Sequence, residues 1–134
     1  MKQRANEAGF TVIELIIFFV ILVVLGAFFF VQKIDLESSM DDQARKVAVN
    51  SMYHGLKNVY HKEKGYYPSE INSEILNTVD PDLFFDPYGI KLGEEGGDYR
   101  YEGINCDNEG RCKDFRLSSI MEKEAEFVRT GSEK

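Results

Sequence analysis

Between Phe10 and Val31 lie 22 residues interrupted by only two polar side chains, Thr11 and Glu14. As a helix rising 1.5 Å per residue this run is about 33 Å long, enough to cross a bilayer. One small core cannot absorb such a segment, so its fate constrains everything else in the chain. A carboxylate at the centre of a spanning helix costs roughly 2.5–3.5 kcal/mol on insertion scales. Nearer an end it costs less but still needs a partner, and an acid within a membrane segment is by default a functional residue. Lys2 and Arg4 precede the run, which predicts a cytoplasmic N-terminus. Lys33, Asp35 and Glu37 follow it. Residues 34–134 are therefore expected outside the cytoplasmic membrane.

Other N-terminal signals fit less well. A secretory signal has an apolar stretch of roughly 7–15 residues and then a small-residue cleavage site. Here Leu15 to Val31 is 17 residues and no A-x-A pattern follows. No cysteine lies close behind the run, which argues against a lipoprotein. A plain single-span anchor remains open.

The segment Gly9-Phe10-Thr11-Val12-Ile13-Glu14-Leu15 and the apolar run after it resemble the class III signal sequence of type IV pilins and of the pilin-like proteins of type II secretion. The resemblance is close over residues 9 to about 31 and looser beyond. It implies that a prepilin peptidase/methyltransferase removes residues 1–9 as a leader, cutting between Gly9 and Phe10, and methylates the new N-terminal Phe10. It implies that Phe10, Thr11 and Glu14 serve filament assembly, Glu14 being the single acid five residues into the mature chain. The implied partners are identical or related pilin subunits, the peptidase, an inner-membrane assembly platform, and membrane lipid before assembly. One position departs from the family: where many pilins carry a proline near the twenty-second mature residue, this chain has Val31. Gly26 is the only helix-weakening residue in the run, at roughly 1 kcal/mol relative to alanine.

The chemistry of the motif is consistent with that role. Methylation of the Phe10 amine keeps its positive charge, and Glu14 can pair with that amine on its own subunit or on a neighbour. Breaking one partner of a buried pair costs about 3–5 kcal/mol, enough to set register in a filament.

Charge and cysteines bound the remainder. The formal net charge is −7. Without Lys2, Arg4 and Glu7 the mature chain keeps 14 basic and 22 acidic side chains, a formal −8. That balance argues against a nucleic-acid groove, which needs a positive field. Cys106 and Cys112 bracket Asp107-Asn108-Glu109-Gly110-Arg111, a turn-forming stretch that lets the pair face each other across a hairpin. A disulfide there requires an oxidising compartment and contributes roughly 2–3 kcal/mol by loop entropy.

The helix is expected to continue beyond the membrane, in all from Phe10 to about Lys62. That is 53 residues, about 80 Å if unbroken. Val49, Met52, Leu56 and Val59 recur at helical spacing as one apolar stripe, so residues 40–62 should carry the globular part, residues 63–134. Asp41 with Arg45 and Asp42 with Lys46 are spaced for i,i+4 pairs. Gly65 and Pro68 stop the helix. Glu70 to Val79 reads as a short helix, and Asp80-Pro81, Asp86-Pro87 and Tyr88-Gly89 read as turns. Alternation over 98–102 and 114–120, with a third segment over 125–129, predicts a three-stranded antiparallel meander. Tyr99, Tyr101, Phe115, Leu117 and Phe127 are the candidates to meet the helix stripe. The expected fold class is α+β: a long N-terminal helix, its first half transmembrane, packed on a small antiparallel sheet, pilin-like.

The sequence lacks the nucleophile-elbow, zinc-protease and phosphate-loop motifs, so no enzyme activity is expected. His54 and His61, seven residues apart on one helix, are about 10 Å apart along the axis, too far to share a metal. The acidic loops Glu94-Glu95-Gly96-Gly97-Asp98 and Asp107–Glu109 could take calcium but lack EF-hand spacing, and they read first as solvated loops. The expected function is a structural filament subunit. A secretion pseudopilin acting in protein export and a non-polymerising, membrane-anchored binding protein are the alternatives.

Overall fold

In the computed structural model, which describes residues 10–132, the chain is helical from Val12 to Lys64 without a break. Helix α1 (Val12–His54) passes into a π-helical stretch (Gly55–Tyr60) and then into α2 (His61–Lys64). Gly65 ends it in the left-handed conformation, φ 79°, its N–H donating to the His61 carbonyl at 2.8 Å. Residue contacts divide the chain into two units at the junction of Glu37 and Ser38.

From Val12 onward the first unit is helix alone. Its large apolar side chains from Val12 to Val31 are 48–77 % exposed, so this stretch has no core of its own. The helix is long and apolar enough to cross a membrane, with a mean hydropathy of 3.1 in its most apolar window. Lys33 and Glu37 form an exposed i,i+4 pair at 3.5 Å, of the kind that contributes little.

The second unit folds the rest of the helix against a four-stranded antiparallel sheet, so the α+β expectation holds and the sheet has one strand more than expected. Strands β2 (Tyr99–Cys106) and β3 (Arg111–Ser119) form a hairpin in register from Tyr99↔Ser119 to Cys106↔Cys112. On the other edge of β3, β4 (Phe127–Thr130) pairs with residues 116–119, and the two-residue β1 (Tyr67–Pro68) pairs with residues 111–112. Strand β1 was not foreseen because two residues, one of them proline, carry no alternation to read.

Val49, Met52 and Leu56 are fully buried, and Ala48 and Tyr53 flank them. From the sheet, Tyr99, Phe115 and Leu117 are buried against this stripe, and Tyr101 and Phe127 are partly so. Phe115 sits at the centre, its ring 6.1 Å from Tyr53, 4.7 Å from Tyr67 and 5.8 Å from Tyr101. Val59 departs from expectation. It is only half-buried, and Tyr60 packs on the core instead. The π-helical stretch is the reason: its wider i→i+5 turns move the buried face from Leu56 to the fourth residue on rather than the third. The stretch starts at Gly55, where a Cβ would lie 2.7 Å from Val79 Cγ2. The 71–79 segment therefore rests directly on the helix backbone.

That segment is not the short helix expected over Glu70–Val79 but a run of hydrogen-bonded turns. The Asn72 side chain accepts from the N–H groups of Glu74 and Ile75 at 3.0 and 2.9 Å, an alternative to helical bonding. Ile71, Leu76 and Val79 still face the core. The three turn signals hold. Asp80 caps a short 3-10 turn (Pro81–Phe84), and buried Asp86 accepts from the N–H groups of Tyr88, Ile90 and Asp98 at 2.9–3.1 Å.

Candidate functional site

Phe10, Thr11 and Glu14 stand together at the head of the apolar helix. Phe10 is 86 % exposed. Thr11 is the residue before the first helical one, and its carbonyl accepts from Leu15 N–H at 3.2 Å. Glu14, the third helical residue, turns back on it. The Thr11 backbone N–H donates to Glu14 Oε2 at 2.9 Å and the Thr11 hydroxyl donates to the same oxygen at 3.0 Å. The Glu14 N–H in turn lies 3.4 Å from Thr11 Oγ1. This is a capping box, which satisfies N–H groups that a helix start leaves without partners. The Thr-x-x-Glu spacing ahead of an apolar run is its sequence signature, and it could have been read from the chain. Gly9 and the leader, residues 1–9, lie outside the described residues.

A second cluster, not foreseen, lies in the globular unit. Arg45 is buried, 1 % exposed, although it occupies a position that reads as an outward helix charge. Its Nη1 meets Asp42 Oδ1 at 3.0 Å, its Nε and Nη2 meet Asp98 Oδ2 at 2.9 Å, and its Nη2 meets Glu122 Oε1 at 3.1 Å. The expected pairing of Arg45 with Asp41 is thus replaced by one with Asp42. Lys46 pairs with Glu124 at 2.6 Å rather than with Asp42. Asp42 also accepts the backbone N–H groups of Glu122 and Lys123 at 2.9 and 3.0 Å. Tyr88 donates its hydroxyl to Glu122 at 2.7 Å and lies with its ring 5.5 Å from the guanidinium.

The electrostatics follow from these contacts. Burial alone would lower the Arg45 pKa, but hydrogen bonds to Glu122 and Asp98 outweigh it and hold the guanidinium above its ordinary value. Burial would likewise raise Asp42, yet the N–H groups of Glu122 and Lys123, together with Arg45, bring it below the usual range. Hydrogen bonds from Tyr88, Ser38 and Arg45 bring Glu122 down to about 2. Every carboxylate in the cluster is engaged, so the arrangement serves to hold the 86–98 loop and the β3–β4 connection on the helix.

Cys106 and Cys112 are joined in a disulfide, directly opposite one another across the β2–β3 hairpin. In the acidic loops offered for calcium, three of the carboxylates have cationic partners. Asp98 is committed to Arg45, while Asp107 and Glu109 pair with Arg111 at 2.7 and 3.0 Å. Among the described residues no group of three or more His, Cys, Asp or Glu side chains is placed to hold a metal. His54 contacts Asn58 at 3.1 Å, and His61 stacks on Tyr67 at 4.5 Å between ring centres. A depression on the outer sheet face, lined by Arg100, Glu102, Arg116 and Glu126 among others, carries the Arg116–Glu126 pair at 3.1 Å and mixed charge throughout.

In comparisons with protein families, curated proteins and solved structures, no family, protein or structure matches this chain.

Proposed function

We propose that this chain is a structural subunit of a type IV pilus or pilus-like filament. It is made as a membrane-embedded precursor with its N-terminus in the cytoplasm, cut between Gly9 and Phe10, and methylated at Phe10. The helix then leaves the lipid and packs against the helices of identical or related subunits, and the sheet unit faces outward. The observation that supports this most is one helix carrying two features together. Its apolar side chains are 48–77 % exposed from Val12 to Val31, and one carboxylate, Glu14, stands at its head three residues after the exposed Thr11. An apolar surface of this extent needs cover. Lipid supplies it before assembly and neighbouring helices supply it afterwards. An anchor accounts for the apolar surface but gives Glu14 no use beyond its cap on Thr11.

In this reading Glu14 meets the methylated amine of Phe10 and sets the register of each added subunit. Its presence suits a subunit that adds repeatedly. The disulfide suits an exported domain, since such bonds persist in oxidising compartments.

The test is the mass of the mature N-terminus in cells with and without the pilin-type leader peptidase. A chain starting at methylated Phe10, seen only when the peptidase is present, supports the reading. A chain starting at Met1 in both strains sinks it and leaves a single-span anchor.

A further inference from the structure

We infer that the outer edge of β2, at Tyr101 and Gly103, binds an extended cationic peptide segment of another protein as an added strand. The edge lies within the globular unit and is the same whether the chain polymerises or stays a single-span anchor. Strand β2 has β3 on one side only. Residues along an antiparallel strand alternate between those bonded to the neighbour and those turned away from it. Ile120 N–H donates to the Asp98 carbonyl at 3.0 Å, so the even-numbered residues of β2 bond to β3. The odd-numbered ones face the other way, and Gly93 N–H meets the Tyr99 carbonyl there at 3.4 Å. Past that contact the N–H and C=O groups of Tyr101 and Gly103 have no backbone partner among the described residues. Gly93 closes this window at Tyr99, and Asn105, at φ 53°, turns the strand out of line beyond Gly103. Native sheets blunt free edges because such edges pair with other chains. Here the ends of the edge are blunted and the middle is open.

Two depressions flank the window, and Gly93 and Tyr101 line both. One is the mixed-charge depression of the outer sheet face. The other lies on the core side, between residues 69–72 and residues 91–94. An added strand sends alternate side chains to opposite faces, so each depression receives every second one. The core-side depression has an apolar lining of Ile71, Leu92 and Tyr101, all packed into the core. Its charges are Glu70, Glu94 and Lys91, all exposed, a formal −1. Neither acid has an ion-pair partner among the described residues. A lysine or arginine suits this lining, its stem on the apolar part and its charge at the acidic rim.

A second copy of this chain fits the edge poorly. The antiparallel register that uses all four open groups sets Tyr101 opposite Gly103, and therefore Glu102 opposite Glu102. Like charges directly opposite destabilise a strand pair.

The test uses the full chain in detergent and a capped Thr-Lys-Thr-Lys-Thr-Lys peptide, followed by amide hydrogen exchange resolved by residue. Without peptide, Tyr101 and Gly103 should exchange about tenfold or more faster than Arg100 and Glu102. Excess peptide should slow Tyr101 and Gly103 by about tenfold or more and leave Arg100 and Glu102 unchanged. Opposite residues of a ladder share a face, so lysines aimed at the core-side depression bond through their own backbone N–H groups. N-methylation of the lysine backbone nitrogens should therefore abolish the slowing, as should glutamate in place of each lysine. Glu70→Lys combined with Glu94→Lys should weaken binding about fivefold or more. Both side chains are exposed, so this variant should fold as the parent does. No slowing at Tyr101 and Gly103 in excess peptide overturns the inference. Equal slowing by the N-methylated peptide overturns it too, because the contact is then one of charge and not of strand addition. Unchanged affinity in the double variant overturns the cationic specificity. Protection that is present without peptide and rises with protein concentration would give the edge to a second copy and overturn the inference as well.

Discussion

Arg45 and Glu122, 77 residues apart in the chain, meet at 3.1 Å. The helix residue is buried, and its partner lies on the connection between β3 and β4 with its side chain 31 % exposed. Through Asp98 the same guanidinium reaches the end of the 86–98 loop. One side chain thus ties two separate loops to the helix.

Removing that tie should be costly. Arg45→Ala leaves Asp42 buried without its cation, and the loss of one partner from a buried pair typically costs about 3–5 kcal/mol. Chemical denaturation of the full chain in detergent, followed by tyrosine near-ultraviolet dichroism, should show an unfolding free energy lowered by that amount. Arg45→Lys should recover only part of it, because an ammonium cannot reproduce the planar fork that serves three carboxylates.

Acid should loosen the same cluster. Glu122 lies at about 2 when folded and Asp42 below its usual range, whereas unfolded Glu and Asp titrate near about 4.3 and 3.9. Both folded values are depressed, so their contribution is complete above about pH 5 and is lost as pH falls through about 4 toward 2. The thermal midpoint should be nearly flat from neutral pH to about pH 5 and then drop. Glu122→Gln should shrink the drop, and an unchanged acid profile in that variant would show that Glu122 is not its source.

Gly103 should be coupled to the disulfide. A Cβ there would lie 2.5 Å from Cys112 Sγ and 2.9 Å from Cys106 Sγ. Gly103→Ala should cost about 1–3 kcal/mol by overpacking. Reduction of the disulfide alone should cost roughly 2 kcal/mol. Because the two sites share their atoms, the costs should fail to add by about 0.5 kcal/mol or more in a cycle combining reduction with Gly103→Ala.

Gly55→Ala tests the seat of the 71–79 segment. Alanine is the better helix former, so propensity alone predicts a gain of about 1 kcal/mol. The new Cβ would meet Val79 Cγ2 at 2.7 Å, and overpacking of that kind costs about 1–3 kcal/mol. The expected sign is a net loss. Val79→Ala should relieve it in the double variant, and urea titration of the four proteins would read the cycle.

Much of this protein was legible because its strongest signals are periodic or compositional. The apolar run, the Val49–Met52–Leu56 stripe, the helix stop at Gly65 and the β2–β3 hairpin with its facing cysteines follow from side-chain spacing and turn chemistry. The head of the helix was legible in part. Glu14 stands out as an acid in an apolar stretch, and its cap to Thr11 follows the local Thr-x-x-Glu pattern rather than the apolar period. Arg45 was beyond reach. On a helix its spacing to Asp41 matches an ordinary surface pair, and its actual partners Asp98 and Glu122 are 53 and 77 residues away.

The sequence by itself determined where apolar surface must go. It set a helix that its own domain cannot cover, an amphipathic continuation, and strands whose alternate residues turn toward that stripe. These are local consequences of the 3.6- and 2-residue periods. The tertiary structure alone decided which charges are buried. Whether Arg45 faces water or three carboxylates depends on loops that return from distant parts of the chain. The same is true of the π-helical stretch at Gly55, which forms where the turns ending at Val79 press on the helix backbone. Contacts of that range depend on how the whole chain closes on itself, and no local period encodes them.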